Sequence, residues 1–323
     1  MTVTPSPAGF DAGRHSDVAF ARSILDGLTA PQKRINSKWL YDAYGSQLFD
    51  TITELAEYYP TRTELGILRQ NAVRLKEFVT HGTALVELGS GSSTKTRALL
   101  NVLTGLQSYV PIDISADHLQ RAAQHVALEF SDLDVIPVVA DFADEISLPT
   151  ALMQTPKILF FPGSTIGNFE IEGAAQLLGR IRKMAKVSAL VIGVDLVKDV
   201  DTLVQAYNDS KGVTAAFNLN LLTRINRELE ADFDLGGFKH EARWVADHSR
   251  IEMHLVSLVT QDVHLLGQVI RFTAGETIHT ENSHKYTPQL LERTAHQQGW
   301  AVHQIWTDAD MLFGVVVLTP DKD

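Results

Sequence analysis

The chain has 323 residues, enough for about two domains of ordinary size, and its composition includes 28 Lys+Arg, 39 Asp+Glu and 0 Cys. The missing thiols exclude disulfides, thiolate metal sites and cysteine nucleophiles, and a formal charge of -11 repels phosphate backbones and anionic lipid heads, so no nucleic acid and no membrane is expected as a partner. No apolar run approaches the roughly 20 residues that span a bilayer, and the first twenty residues lack the basic start and apolar block of an export signal; the expectation is a cytoplasmic monomer.

Residues 16–80 read as helical, with Asp17 to Leu28 repeating apolar positions at helical spacing and Thr61 followed three residues later by Glu64, the pattern of a capping box. Short apolar runs then alternate with helix-like segments at intervals of about 25 residues. The strands predicted from them are Ala84–Leu88, Tyr109–Ile114, Val135–Ala140, Ile158–Pro162 and Ala189–Leu196. Crossovers of this length require a parallel sheet with helices on both faces. Thr202–Tyr207 and Val213–Leu229 read as helices, after which the period changes to two through Arg250–Leu258 and Val269–Thr273, an antiparallel sheet outside the parallel one. At the end of the chain Pro288–Gln298 is a helix stopped by Gly299. Ala301–Trp306 and Phe313–Leu318 flank the turn Asp308-Ala309-Asp310, a hairpin that completes the first sheet. The predicted fold class is α/β, a Rossmann-like doubly wound sheet from 61–196 plus 287–323, with a second α+β domain from 1–60 plus 197–286.

In such folds ligands bind beyond the carboxyl ends of the strands. The first strand runs into Gly89-Ser90-Gly91-Ser92-Ser93-Thr94-Lys95, whose glycines let backbone approach a ligand, though a tight strand-to-helix turn needs the same residues. A dinucleotide fingerprint wants a third glycine where Thr94 stands, which disfavours a pyrophosphate cradle and a nicotinamide dehydrogenase. The second strand ends at Asp113, 24 residues after Gly89, the distance at which a Rossmann-type domain holds ribose hydroxyls; its competing role is that of a turn former, with Ser115 capping the next helix. Asp141 and Phe142 end the third strand and offer a carboxylate to an adenine amino group and a ring to its face. The fourth runs into Gly163-Ser164-Thr165-Ile166-Gly167-Asn168, either a substrate platform or a glycine-rich turn. Tyr58-Tyr59, Tyr207 and Glu281-Asn282-Ser283 are candidates from the second domain. The 12 His form no HExxH pair, and neither a G-x-S-x-G elbow nor a Walker lysine loop is present; metal-dependent, hydrolytic and phosphoryl-transfer chemistry are without support, and no metal is expected.

Several blocks in one order resemble the histidine-specific Nα-methyltransferases of ergothioneine biosynthesis, which make hercynine from histidine with S-adenosylmethionine. They are Lys38-Trp39-Leu40-Tyr41-Asp42, Glu57-Tyr58-Tyr59-Pro60-Thr61-Arg62-Thr63-Glu64, Leu85-Val86-Glu87-Leu88-Gly89-Ser90-Gly91, the Gly163 to Asn168 run, Asp195-Leu196-Val197-Lys198-Asp199, Gly212-Val213-Thr214-Ala215-Ala216-Phe217-Asn218, Asn226-Arg227-Glu228-Leu229 and Arg250-Ile251-Glu252-Met253. The resemblance implies a class I methyltransferase domain in which Gly89, Lys95, Asp113, Asp141 and Phe142 hold S-adenosylmethionine. It further implies a small-molecule substrate, L-histidine, held by Tyr58, Gly163, Asn168, Tyr207, Met253, Glu281, Asn282 and Ser283, with Phe217 packing nearby. Asn168 and Tyr207 fall to the carboxylate, and Glu281 and Ser283 to the imidazole. Chemistry adds one requirement, an unprotonated amine, and water relayed by Tyr41 or Tyr58 is expected to remove its proton. The alternatives are a methyltransferase of the same family acting on another amino acid or an indole derivative, and a nucleotide-binding regulatory protein without turnover.

Overall fold

The computed structural model describes residues 12–144 and 146–321; the start of the chain, where no export signal was read, lies outside them. In chain order the elements are α1 (Ala12–Leu28), α2 (Ala43–Thr53), α3 (Tyr59–Asn71), β1 (Ala84–Leu88), α4 (Thr94–Leu100), β2 (Ser108–Asp113), α5 (Ala116–Glu129), β3 (Asp134–Val135), β4 (Val138–Val139), β5 (Lys157–Phe161), α6 (Ile171–Arg182) and β6 (Val187–Asp195). They continue with α7 (Val200–Gln205), α8 (Val213–Leu229), β7 (Phe238–Val245), β8 (Arg250–Ser257), β9 (Gln261–Leu265), β10 (Gln268–Phe272), β11 (Thr277–His284), α9 (Pro288–His296), β12 (Trp300–Thr307) and β13 (Phe313–Pro320).

Eight strands form the main sheet in the order β12-β13-β6-β5-β1-β2-β3, with β4 beside β2. The strands from β1 to β6 pair in parallel, and β13 and β12 join β6 as an antiparallel hairpin. This is the doubly wound class I methyltransferase arrangement, with the terminal hairpin where the sequence placed it. Every residue of β1 and β5 is buried, because helices cover both faces and each face needs apolar side chains. Alternation decides which helix each residue meets: Val86, Leu88, Leu159 and Phe161 pack with Leu177 and Ile181 of α6 and with Trp300. Leu85, Ile158 and Phe160 pack with Leu68, Leu99 and Val126 of α3, α4 and α5. No described helix is long and apolar enough to cross a membrane.

Two local expectations are corrected. The run Val135–Ala140 is not one buried strand: Pro137 interrupts it, leaving the two short pieces β3 and β4, with Val139 exposed, since proline has no N–H for a ladder. Thr61 and Glu64 form no capping box. Helix α3 begins at Tyr59 with Pro60 in its first turn, so Thr61 is already helical, and Glu64 points inward, fully buried.

A separate apolar cluster lies outside the main sheet. It joins Phe20 and Ile24 of α1, Leu40, Ile52, Phe217 and Leu221 of α8, and inward residues of β8 and β11 such as Ile251, Met253 and Ile278. The antiparallel order here is β11-β8-β7, with β9 and β10 as a two-stranded hairpin. Strands β7, β9 and β11 escaped the sequence reading because they mix charged and apolar residues on faces that are only partly covered.

Packing leaves no room for a side chain where β6 passes Glu64: a Cβ built on Gly193 would come within 2.1 Å of Glu64 Oε1, whereas one on Gly66 meets nothing within 4 Å. Overpacking costs about 1–3 kcal/mol, and alanine exceeds glycine inside a helix by about 1 kcal/mol. Gly193→Ala is therefore expected to lower the urea midpoint and Gly66→Ala to raise it; equal midpoints for the two variants would contradict the packing described.

Candidate functional site

The carboxyl ends of β1, β2 and β5 open into a large cleft lined by Gly89, Gly91, Lys95, Asp113, Asp141, Phe142 and Gly163 among others. Gly89 and Gly91 have φ of +71° and +48°, the left-handed backbone that glycine adopts without strain. A Cβ at Gly89 would lie 3.4 Å from the Phe142 ring, so ring and bare backbone form one wall. Asp113 is held open-faced by two amides, Gly91 N–H donating to Oδ2 at 3.2 Å and Ser115 N–H to Oδ1 at 2.9 Å. Ser115 is the N-cap residue of α5, but its hydroxyl makes no capping bond. A bare-backbone turn, a carboxylate at the end of β2 and a ring beside it suit the residues to a nucleoside.

Lys95 does not point free into the cleft. Its ammonium lies 2.6 Å from Glu64, which also accepts the Gly163 N–H at 2.9 Å. This buried pair ties α3 and α4 to the loop after β5. Asp141 is likewise engaged, accepting from Lys38 Nζ at 2.8 Å. Glu87, within β1, borders the same cleft; burial pushes its carboxyl up to about 8, against hydrogen bonds from Thr96 and Tyr109.

Beside it, a second, small cavity is lined by Tyr41, Phe49, Tyr58, Gly163, Asn168, Tyr207, Phe217, Met253, Glu281 and Ser283 among others. Tyr41, Phe49, Tyr58, Gly163, Thr165, Asn168 and Glu281 border both spaces, so the two meet there. Gly163, at φ +80°, keeps the passage free. The walls are aromatic: Tyr41 and Phe49 lie 5.5 Å apart between ring centroids, Phe49 and Tyr58 6.2 Å, Tyr58 and Tyr207 6.2 Å. Burial pushes the phenols of Tyr41, Tyr58 and Tyr207 well above their ordinary range, so all three stay protonated.

The polar end is supplied by β11. Strand alternation aims Glu281 and Ser283 inward with Met253 of β8, while Asn282 faces the other way, opposite Glu252. Asn282 lines only the outer cleft and donates to Glu170 at 3.1 Å; the structure does not bring it into the inner cavity with its neighbours. Desolvation pushes Glu281 up to about 8, opposed by the charge of Lys285, and Asn168 Nδ2 donates to it at 3.3 Å. Tyr207 and Ser283 hydroxyls lie 2.6 Å apart. Beneath them sits Asp195, the last residue of β6, which accepts from Tyr59 at 2.7 Å, Lys198 at 2.5 Å and Lys285 at 2.8 Å. Burial opposes its ionisation, but the two ammonium groups outweigh this and hold its carboxyl below the usual range.

Sequence reasoning assigned no site role to Glu64, Lys38, Asp195 or Lys285. Lys285 was findable, since it stands two residues after Ser283 and strand alternation gives both one face; Lys38 was not, because only the tertiary fold brings it to Asp141. Among the described residues, Glu252, His254 and His279 are the cluster with metal-type side chains. The two imidazole planes are stacked, 20° apart, and Glu252 is held by Arg250 at 2.5 Å.

Comparison with known proteins places this geometry in context. Residues 20–320 match the family described as histidine-specific, SAM-dependent methyltransferase. The chain is 40% identical over 319 residues to the histidine N-alpha-methyltransferase of Mycolicibacterium smegmatis, covering 97% of this chain and 98% of that one. It is 42% identical to the Mycobacterium tuberculosis protein of the same name, over 95% and 96%. Ergothioneine biosynthesis protein 1 of Neurospora crassa is 31% identical across 83% of this chain and 31% of that longer protein. With a match across nearly all of its described length and two relatives of equal extent, the chain belongs to the histidine-specific, SAM-dependent methyltransferase family.

Proposed function

We propose that the protein transfers methyl groups from S-adenosylmethionine to the α-amino nitrogen of L-histidine, three times in succession, giving hercynine. The observation that carries this reading is the junction: a cleft whose residues suit a nucleoside and an inner polar cavity meet at Tyr41, Tyr58, Gly163, Asn168 and Glu281, as donor and acceptor of one transferred group require. When bound, S-adenosylmethionine supplies a methyl carbon open to direct displacement. Gly89, Lys95, Asp113, Asp141 and Phe142 are assigned to holding it. The work splits between two units, 61–196 plus 287–323 for the donor and 1–60 plus 197–286 for the amino acid, in a cytoplasmic monomer that needs no metal.

Direct displacement requires no nucleophilic side chain, so alignment is the main resource, capable of about 7–11 kcal/mol in favourable systems. Asn168 and Tyr207 hold the substrate carboxylate, and Glu281 with Ser283 the imidazole, leaving the nitrogen at the junction. Tyr41 and Tyr58, both protonated phenols, orient the amine and pass its proton to water without ionising. The aromatic wall of Tyr41, Phe49, Tyr58 and Tyr207 accommodates the growing methylammonium, at about 0.5–2 kcal/mol per cation–π contact.

Glu281 sets selectivity, since a buried acid left without its imidazole partner is costly. Glu281→Ala is expected to weaken histidine binding by about 10- to 100-fold while S-adenosylmethionine affinity stays within about twofold; calorimetric titration with each ligand checks it, and equal loss of both would remove the assigned role.

The same carboxyl gives a pH prediction. Its value in the folded chain is about 8 against an ordinary 4.5, so the folded protein keeps a proton that the unfolded chain releases. The associated stability is full below pH 4.5 and is lost as pH rises through about 8. Glu281→Gln, which has no proton to lose, should gain on the natural protein across that window and differ by a constant amount above it. Urea midpoints at three pH values measure the difference, and one that does not vary with pH would contradict it.

A further inference from the structure

Lys285 is fully buried directly beneath the inner cavity, and nothing in the reading above gives it a task. Its ammonium lies 2.8 Å from Asp195 Oδ2, 2.8 Å from Ser283 Oγ and 3.1 Å from Tyr207 Oη. An ammonium has three protons and accepts nothing. Its three neighbours therefore use its whole donor capacity, and Ser283 and Tyr207 both accept a hydrogen bond from it.

That has a consequence for the pair of hydroxyls, which are 2.6 Å apart. Each oxygen already accepts from Lys285, and across so short a contact one hydroxyl must donate to the other. One proton remains to be directed elsewhere. If Tyr207 donates to Ser283, the free proton belongs to Ser283 and Tyr207 has none for a carboxylate. If Ser283 donates to Tyr207, the phenol proton is free for an anion, and Ser283 keeps a lone pair that can take only an N–H. An anionic acceptor forms the stronger hydrogen bond, so a carboxylate on Tyr207 selects the second order.

We propose that Lys285 is a positioning residue that couples the two ends of the histidine site, fixing a one-way chain from Ser283 to Tyr207 to the substrate carboxylate and thereby obliging Ser283 to accept an imidazole N–H. This rests on Tyr207 and Ser283 meeting the carboxylate and the ring. Asp195 anchors the hub: with Lys198 and Tyr59 also on its carboxylate, it stays ionised and holds the Lys285 ammonium in place. Without the hub, the two hydroxyls are no longer held at this short distance, Ser283 need not donate to Tyr207 and can turn its own proton to the ring, and the ring loses its preference for a protonated nitrogen facing Ser283.

The test is histidine binding and turnover in Lys285→Met, Tyr207→Phe, Ser283→Ala and the double variants, with S-adenosylmethionine affinity as the control for an intact fold. Lys285→Met should raise the KM for histidine about 10-fold or more with kcat changed far less and cofactor affinity unchanged. Adding Ser283→Ala to Lys285→Met should cost little further, because the chain is already broken. If Lys285→Met does not fold, the cycle of Tyr207→Phe with Ser283→Ala decides alone: the proposal expects strong coupling. Additive losses in that cycle, or parallel loss of histidine and cofactor binding in Lys285→Met, would overturn it. Failure of the natural protein to methylate histidine would instead strike the proposed function, leaving the Lys285 contacts to be tested by binding.

Discussion

Asp195 is a carboxylate only 1% exposed, placed where the last parallel strand ends and the chain passes into the elements outside the main sheet. A buried charge of this kind destabilises a protein unless it is fully partnered. Here the partners come from three directions: Tyr59 from the start of α3, Lys198 from the turn after β6 and Lys285 from the end of β11. Desolvation lowers the Lys198 ammonium to about 8 despite its contact with Asp195. The pairing therefore fixes α3, β6 and β11 relative to one another, and those elements carry Tyr58, Gly163 by way of Glu64, and Glu281 with Ser283. The inner cavity has its shape because Asp195 has its partners.

A second buried pair, Glu64 with Lys95, does the corresponding work beside the outer cleft. It joins α3 to α4 and to the amide of Gly163, and Gly193 makes room for it. The start of α3 is thus a wall common to both spaces: Tyr58, its N-cap residue, borders the inner cavity and the outer cleft, Thr61, Arg62 and Leu65 line the cleft, and Glu64 holds Lys95 from the buried face. Catalysis by alignment demands such a wall, because displacement depends on the relative placement of two ligands rather than on a reactive side chain.

The parallel sheet was legible in the sequence because strands buried on both faces read as continuous apolar runs, and β1, β2, β5 and β6 lie within two residues of their expected bounds. The candidate residues at the strand ends were legible for the same topological reason. What escaped has physical causes too. Glu64 fits the spacing of a capping box, and only the helix start at Tyr59 shows that it faces the interior. Asn282 is adjacent in sequence to two cavity residues but on the opposite face of a strand. Lys38 and Asp195 take their roles from contacts with residues 103 and 136 positions away, which local pattern does not encode, whereas Lys285 stands two residues from Ser283 and could have been read from alternation.

The central claim is that histidine is the acceptor and its α-nitrogen the site of transfer. Mass spectrometry of the purified protein incubated with S-adenosylmethionine and a mixture of the common amino acids tests it most directly. The account predicts trimethylated histidine as the dominant product, with fragmentation placing all three methyl groups on the α-nitrogen. A different methylated amino acid, methylation on the ring, or no methylated product would contradict it.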